Sequence, residues 1–336
     1  MSKPRPANID TNYPDGLESL RVVSFWDGRL GHEKQTRGVL NALSKLTVIE
    51  EAHRMVNPLS WAERIRAWLS FIALLIRPVV PRHGENRADL IIGTGSATHI
   101  PMLLFKKKCA RARVVTCMTP DFPFRDRMDL CFVPQHDRQK LLDNIFKTIG
   151  PPNNVAYTDT HDHRRGLILV GGLDPKSHHW DSEALMDQVK TLVKKRPDLR
   201  WTISSSPRTP QETLHQLEDL AARIDGVEFF NSINTPPGWI EQQYQQNLTV
   251  WVTADSVSMV YEALTAGCRV GILPVRWRQK YNKFQQSLDF LAANNYVTPY
   301  DTWLTAGHFT ATGVRLDEAS RCAQELLRRW WPNRLQ

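Results

Sequence analysis

The chain has 336 residues, 41% hydrophobic and 23% charged, with a formal net charge of +8. That length and apolar content support ordinary globular cores and exclude a collagen-like, disordered or disulfide-scaffolded chain. The positive balance favours anionic partners: phosphorylated small molecules, an acidic membrane surface or nucleic acid.

In chain order, residues 1–18 hold several prolines and read as a mobile leader. They lack both the apolar stretch of a signal peptide and the Arg- and Ser-rich pattern of a transit peptide. Short β-branched or apolar runs follow at 20–25 (LRVVSF), 89–92 (DLII), 113–117 (RVVTC) and 129–133 (DLCFV). Five more come at 167–170 (LILV), 199–204 (LRWTIS), 227–230 (VEFF), 249–252 (TVWV) and 269–274 (RVGILP). Continuous apolar runs predict strands covered on both faces, and the helical patterns between them predict parallel sheets of βαβ units. The run 150–165 (GPPNNVAYTDTHDHRR) has little apolar periodicity and reads as a linker. The expected organisation is α/β: a first Rossmann-like domain over 19–155, a second over 156–315, and a C-terminal helix over 316–336 packing back on the first.

Residues 67–76 (AWLSFIALLI) are almost wholly apolar, with Arg64 and Arg66 before them and Arg77 and Arg82 after. The run is shorter than the roughly 20 residues of a membrane span. It reads either as a buried helix or as a helix dipping into a membrane interface, with Trp68, Phe71 and Arg77 as contact candidates. The five cysteines show no CxxC spacing and are odd in number, which argues against a zinc ribbon or a disulfide framework and for a reducing compartment.

Candidate chemistry collects in loops that follow strands, where open α/β sheets bind ligands. After the first strand, Asp27-Gly28-Arg29-Leu30-Gly31-His32 makes neither a GxGxxG nor a P-loop. Asp27 or His32 could take the proton of an attacking hydroxyl, with Gly31 and Gln35 beside them, before a helix expected over about 33–43. The loops 93–99 (GTGSATH) and 118–123 (MTPDFP) offer Thr94, Ser96 and Asp121 to the same edge. In the second half, Gly171-Gly172 would let backbone approach a ligand, and Ser206 with Arg208 suits a phosphate. The most informative stretch is Ala254-Asp255-Ser256-Val257-Ser258, which opens a helix ended by Gly267. Free N–H groups at that helix start, flanked by Ser256 and Ser258, suit a diphosphate, and Glu262 could meet a ribose hydroxyl. The basic run 276–283 could close over phosphates or form a solvated face. Adjacent His178 and His179 do not make a metal site.

Together, WDGRLGHEKQTRGVLNAL, GTGSATHIP, VGGLDPKSHHW, SSSPRTP and TADSVSMVYEALTAG resemble, in order, the Elm-like family, over about residues 20–300. That family is named for a plant mitochondrial-fission protein and occurs in bacteria as glycosyltransferase-like proteins. The resemblance implies a GT-B fold, two Rossmann-like domains facing across a cleft. It puts the donor on Gly172, Ser206, Arg208, Ser256, Ser258 and Glu262, the acceptor on the first half, and Asp27 or His32 as base. It implies no metal and no cofactor beyond the nucleotide-sugar co-substrate. Relatives often carry two arginines in the motif where this chain has Ser206-Pro207-Arg208, so one positive contact is missing.

The expected function is a metal-independent glycosyltransferase using a nucleotide-activated sugar. Its acceptor is expected to be a lipid-linked or cell-envelope glycan, at the cytoplasmic side of a membrane. The alternatives are a nucleotide-sugar 2-epimerase of the same fold and a non-catalytic peripheral membrane adaptor. Nucleic acid is not an expected partner, because the basic residues are scattered and match no recognition motif.

Overall fold

Strand β1 (Leu20–Trp26) is apolar at nearly every position because both of its faces are covered. It opens a sheet that continues through β2 (Ile49–Met55), β3 (Leu90–Gly93), β4 (Arg113–Thr116), β5 (Leu130–Pro134) and β6 (Ile145–Thr148). Helix α1 (Leu30–Ser44) follows β1, and α2 (Ser96–Lys106) follows β3. The structure, a computed structural model, describes residues 18–56, 66, 69, 87–109, 111–120, 122–137, 142–279, 282–310 and 315–335. Asp121, Trp68, Phe71 and Arg77 lie outside the described residues. Among those described, no helix is long and apolar enough to cross a membrane.

The first sheet runs β2-β1-β3-β4-β5-β6, with every pair parallel. Successive side chains of a strand point to opposite faces. Val22, Ile92 and Phe132 therefore pack with Val39, Leu40 and Leu43 of α1 on one face. Val23, Ile91 and Cys131 pack with Met102 and Leu103 of α2 on the other. Each fully buried leucine or isoleucine here contributes about 2 kcal/mol.

The second domain repeats the plan with β7 (Asp162–Leu169), β8 (His178–His179), α3 (Ser182–Lys195), β9 (Arg200–Ser204), α4 (Gln211–Arg223), β10 (Val227–Phe230), α5 (Trp239–Gln246), β11 (Asn247–Thr253), α6 (Val257–Ala266), β12 (Arg269–Leu273), β13 (Arg276–Trp277), α7 (Lys283–Ala293), β14 (Val297–Pro299) and α8 (Tyr300–Ala306). Its main sheet is ordered β10-β9-β7-β11-β12-β14, again all parallel. Leu167 and Val250 face Val260 and Leu264 of α6, whereas Ile168 and Trp251 face Leu185 of α3 and Trp303 of α8.

The last helix, α9 (Glu318–Trp330), is capped by Asp317, whose side chain accepts from the Ser320 N–H. It lays Cys322, Ala323, Leu326 and Leu327 onto the α1 face of the first domain. Arg334 then donates to Thr47 and to the Glu18 carbonyl, tying the chain's end to the start of β1.

Several local readings shift. Helix α1 begins at Leu30 rather than near 33, which puts Gly31 inside its first turn. The expected linker ends early, because β7 starts at Asp162. The basic run contributes β13, which pairs antiparallel with β8 at the two histidines. All five cysteines are buried, and none forms a disulfide.

Candidate functional site

Asp27 leaves β1 just before Gly28, whose φ of +77° is a left-handed conformation that suits glycine. The Asp27 carboxylate turns back to cap its own loop, accepting from Arg29 N at 3.1 Å. Its other oxygen lies 2.7 Å from His32 Nδ1 in the first turn of α1. Asp27 is almost wholly covered, at 4% side-chain exposure, whereas His32 keeps 27%. A carboxylate that accepts Nδ1–H leaves the lone pair on Nε2. The geometry thus makes one unit of two residues that the sequence offered as rival bases: an aspartate that orients and a histidine that can take a proton.

The loop after β3 closes on this pair. Gly95 has φ +105°, and a Cβ there would overlap the Asp27 carboxylate and lie 2.5 Å from His32 Nδ1. The glycine is required by both its backbone and its neighbours. Thr94 is buried and shares a 2.9 Å hydrogen bond with Thr36 of α1. Ser96 is exposed at the start of α2, Gly31 is exposed, and Gln35 is half-buried beside them.

Across the molecule, β11 runs into Asp255 and Ser256, and α6 begins at Val257. Asp255 is the hub of this region, with its side chain 1% exposed. Its Oδ2 receives Arg208 Nη2 at 2.8 Å, Gly172 N at 3.1 Å and Ser256 Oγ at 3.3 Å. Arg208 Nη1 also donates to the Gly172 carbonyl at 3.2 Å. A Cβ on Gly171 would overlap the Asp255 carboxylate, and one on Gly172 would overlap the Arg208 backbone. The two glycines therefore admit Asp255 and the 206–209 turn. Ser206 is buried, and its Oγ accepts from Arg208 N at 3.2 Å. Ser256 is also buried, whereas Ser258 is exposed on the first turn of α6. The seven residues Gly171, Gly172, Ser206, Arg208, Asp255, Ser256 and Ser258 thus gather around one helix start, with Arg208 partly neutralised by Asp255.

Glu262 stands apart from that group. Its carboxylate is buried and engaged by Lys34 of α1, with Nζ at 3.1 and 3.2 Å from its two oxygens. Tyr244 OH donates to it at 3.4 Å, and Lys34 also reaches Glu241 at 3.1 Å. The ribose contact expected of Glu262 is occupied here by a lysine two residues past His32. Burial raises the pKa of the Glu262 carboxyl, with Lys34 only partly opposing it. For Lys34, burial acts downward, but Glu262 and Glu241 outweigh it and raise the ammonium's pKa. Lys34, Glu241 and Tyr244 carried no motif signal. Their roles come from being brought together across the two domains. Among the described residues no group of three His, Cys, Asp or Glu side chains is placed to hold a metal ion.

The same two-domain arrangement occurs in solved structures. The UDP-GlcNAc 2-epimerase from Methanocaldococcus jannaschii is 11% identical, with a TM-score of 0.56 over 93% of this chain and 99% of that one. S. aureus MnaA, in a co-structure with UDP, is 12% identical, with a TM-score of 0.53 over 94% and 97%. A putative UDP-N-acetylglucosamine 2-epimerase from Listeria monocytogenes is 11% identical, with a TM-score of 0.57 over 92% and 95%. At such identities the likeness is one of fold: α/β of the GT-B type. No curated protein matches the chain. Residues 30–330 match the sequence profile described as Mitochondrial fission ELM1, and the chain belongs to that family.

Proposed function

We propose that this protein is a metal-independent glycosyltransferase that takes a nucleotide-activated sugar in the cleft between its domains. The observation that carries this reading is the Asp27–His32 pair, set at a β-strand's carboxyl end two residues from a lysine that touches α6. His32 Nε2 would accept the proton of the acceptor hydroxyl as that oxygen attacks the anomeric carbon. Asp27 would hold the ring and stabilise the charge it gains. The free N–H groups at the start of α6, with Ser258 and the exposed part of Arg208, would receive the departing nucleoside diphosphate. No protein-bound metal is needed in this scheme, and the nucleotide sugar is a co-substrate.

The acceptor we assign is a lipid-linked or cell-envelope glycan met at the cytoplasmic face of a membrane. The net charge of +8 and the apolar run 67–76 between arginines support it.

The test is a thermal-shift series of nucleoside diphosphates and nucleotide sugars, UDP-GlcNAc included, on wild type and on Arg208→Gln. A ligand that stabilises the first and not the second supports the donor site; no stabilisation by any of them refutes it. Incubation with the stabilising nucleotide sugar and no acceptor then separates the two enzymes of this fold. Slow release of free sugar fits transfer, whereas appearance of the C2 epimer assigns the epimerase. Tight binding to anionic vesicles with no nucleotide response assigns the non-catalytic adaptor.

A further inference from the structure

The amino-terminal end of the second sheet, opposite the cleft, carries a charge arrangement that the sugar-transfer reading does not use. Strand β7 begins Asp162-His163-Arg164-Arg165, and β9 begins at Arg200. Arg165 and Arg200 are direct partners in the parallel ladder. Residues so paired project from the same face, with their strands about 4.8 Å apart. Two like charges in that position destabilise a sheet unless something lies between them.

Charged residues often guard a sheet's edge, but that does not explain this pair. The strand order β10-β9-β7-β11 makes both β7 and β9 interior strands. Nor does a carboxylate pair directly with it. Among the described residues, Arg164, Arg165 and Arg200 form no ion pair, while nearby Asp198 is committed to Arg196 through two hydrogen bonds of 2.8 and 2.7 Å. Asp162 accepts from the Arg164 backbone N–H at 2.8 Å. The three arginines border a cavity of about 610 Å³ together with Asp162, Asp198 and Glu228, none of which forms an ion pair with them among the described residues, and Thr202, itself only 4% exposed, also lines it. That volume lies within the usual range for small-ligand pockets.

The geometry points to an anion site here, taking a phosphoryl group between Arg165 and Arg200. Planar guanidinium forks match phosphate oxygens in pairs, and a bound dianion turns a repulsive pair into a bridged one. The Thr202 hydroxyl supplies a neutral hydrogen bond. The site is separate from the cleft: the five residues of β9 put about 16 Å between the two ends of the sheet. It stands or falls independently of the sugar-transfer reading. The phosphoryl group could belong to a soluble phosphorylated molecule or to a phospholipid headgroup, which share this chemistry.

Isothermal titration with inorganic pyrophosphate tests it on four proteins: wild type, Arg200→Gln, Arg165→Gln/Arg200→Gln, and the charge-matched control Lys194→Gln/Lys195→Gln. We expect wild type and control to bind alike. The single variant should bind about tenfold more weakly, and the double variant should lose one pyrophosphate per chain. Because the substitutions remove a repulsion, the double variant's Tm should be equal to or above wild type, which a merely structural pair would not give. Sedimentation with phosphatidylglycerol vesicles forms the second arm. Loss of vesicle binding in the double variant but not in the control assigns the site to lipid headgroups; pyrophosphate binding without vesicle binding assigns it to a soluble ligand. Unchanged pyrophosphate binding and unchanged sedimentation in the double variant overturn the site, as does a wild type that binds neither probe.

Discussion

Lys34 of α1 and Glu262 of α6 stand 228 residues apart in the chain and form an ion pair between the two domains, with Nζ 3.1 Å from Oε2. Glu241 completes the group, so one ammonium serves two carboxylates. The pair fixes the helix that carries His32 against the helix whose start is the proposed diphosphate site.

Lys34→Met should therefore destabilise the protein, by about 2–3 kcal/mol, because it leaves a buried carboxylate without its cation. Lys34→Met/Glu262→Gln should recover most of that loss. The pH dependence has a definite sign. Glu262 holds its proton more tightly folded than unfolded, so its charged form costs stability as pH rises from its ordinary 4.5. The Lys34→Met deficit should widen over that interval and narrow in acid. Lys34 has a raised pKa, so its contribution is complete below its ordinary 10.5 and is lost as pH rises through the folded value. Urea denaturation of wild type and variant from pH 4 to 10 reads the Glu262 trend, because the Lys34 loss lies above that range; a pH-independent difference would contradict it.

The Asp27–His32 pair predicts two distinct losses. His32→Ala should lower turnover of a stabilising nucleotide sugar by about 10²–10⁴-fold, the usual contribution of a positioned base. Asp27→Asn should give a comparable loss with little change in fold, because an amide can donate to Nδ1 and force the proton onto Nε2. A turnover with Asp27→Asn within twofold of wild type would remove the aspartate from the mechanism.

Gly95→Ala adds one methyl group where no space exists. It should cost about 1–3 kcal/mol through the positive φ alone. Because the new Cβ would displace Asp27 and His32, turnover should fall further than the stability loss explains. Measuring kcat well below the variant's Tm separates the two effects.

Arg208→Gln leaves the covered Asp255 carboxylate with only Gly172 N and Ser256 Oγ. The expected destabilisation is about 2 kcal/mol, moderated because Arg208 is itself 43% exposed. Asp255→Asn should lose less, since the amide oxygen keeps the Gly172 bond. Tm values for the two variants, taken without ligand, check the order.

The cysteines provide a simple test of packing. Burial pushes the Cys117, Cys131 and Cys268 thiols up to about 12, and it also raises Cys109 and Cys322. A thiol-specific chromogenic reagent at pH 8 should label none of them in the native protein and all five after denaturation. Rapid native labelling of Cys117 or Cys131 would show that the first sheet opens.

Apart from the edge strand β10, the strands that could be read from the chain alone are those covered on both faces. Their runs, such as 113–117 and 249–252, are mostly apolar because each face meets a helix. The strands that could not be read are mostly at edges. β2 reads IEEAHRM and is half-buried or exposed along its length, so it has no apolar signature. β6 and β14 are short and lie at the outer margins of their sheets. The glycines were legible as special positions, but their reasons were not. Gly95 and Gly171 face carboxylates from other segments, and no local pattern encodes that contact.

Local order along the chain thus sufficed for the α/β alternation, the loops after strands that hold Asp27, His32, Arg208 and Ser256, and the helix start of α6. Those features arise from side chains acting on their own turn of backbone, within reach of hydrogen bonds a few residues long. The joining of Asp27 to His32 under Gly95, the neutralising of Arg208 by Asp255, and the capture of Glu262 by Lys34 belong to the folded chain. The first two need separate loops of one domain to come together, and the third needs the two domains to close against one another. In a buried site of low dielectric, such a meeting decides which group is held and which is free to act.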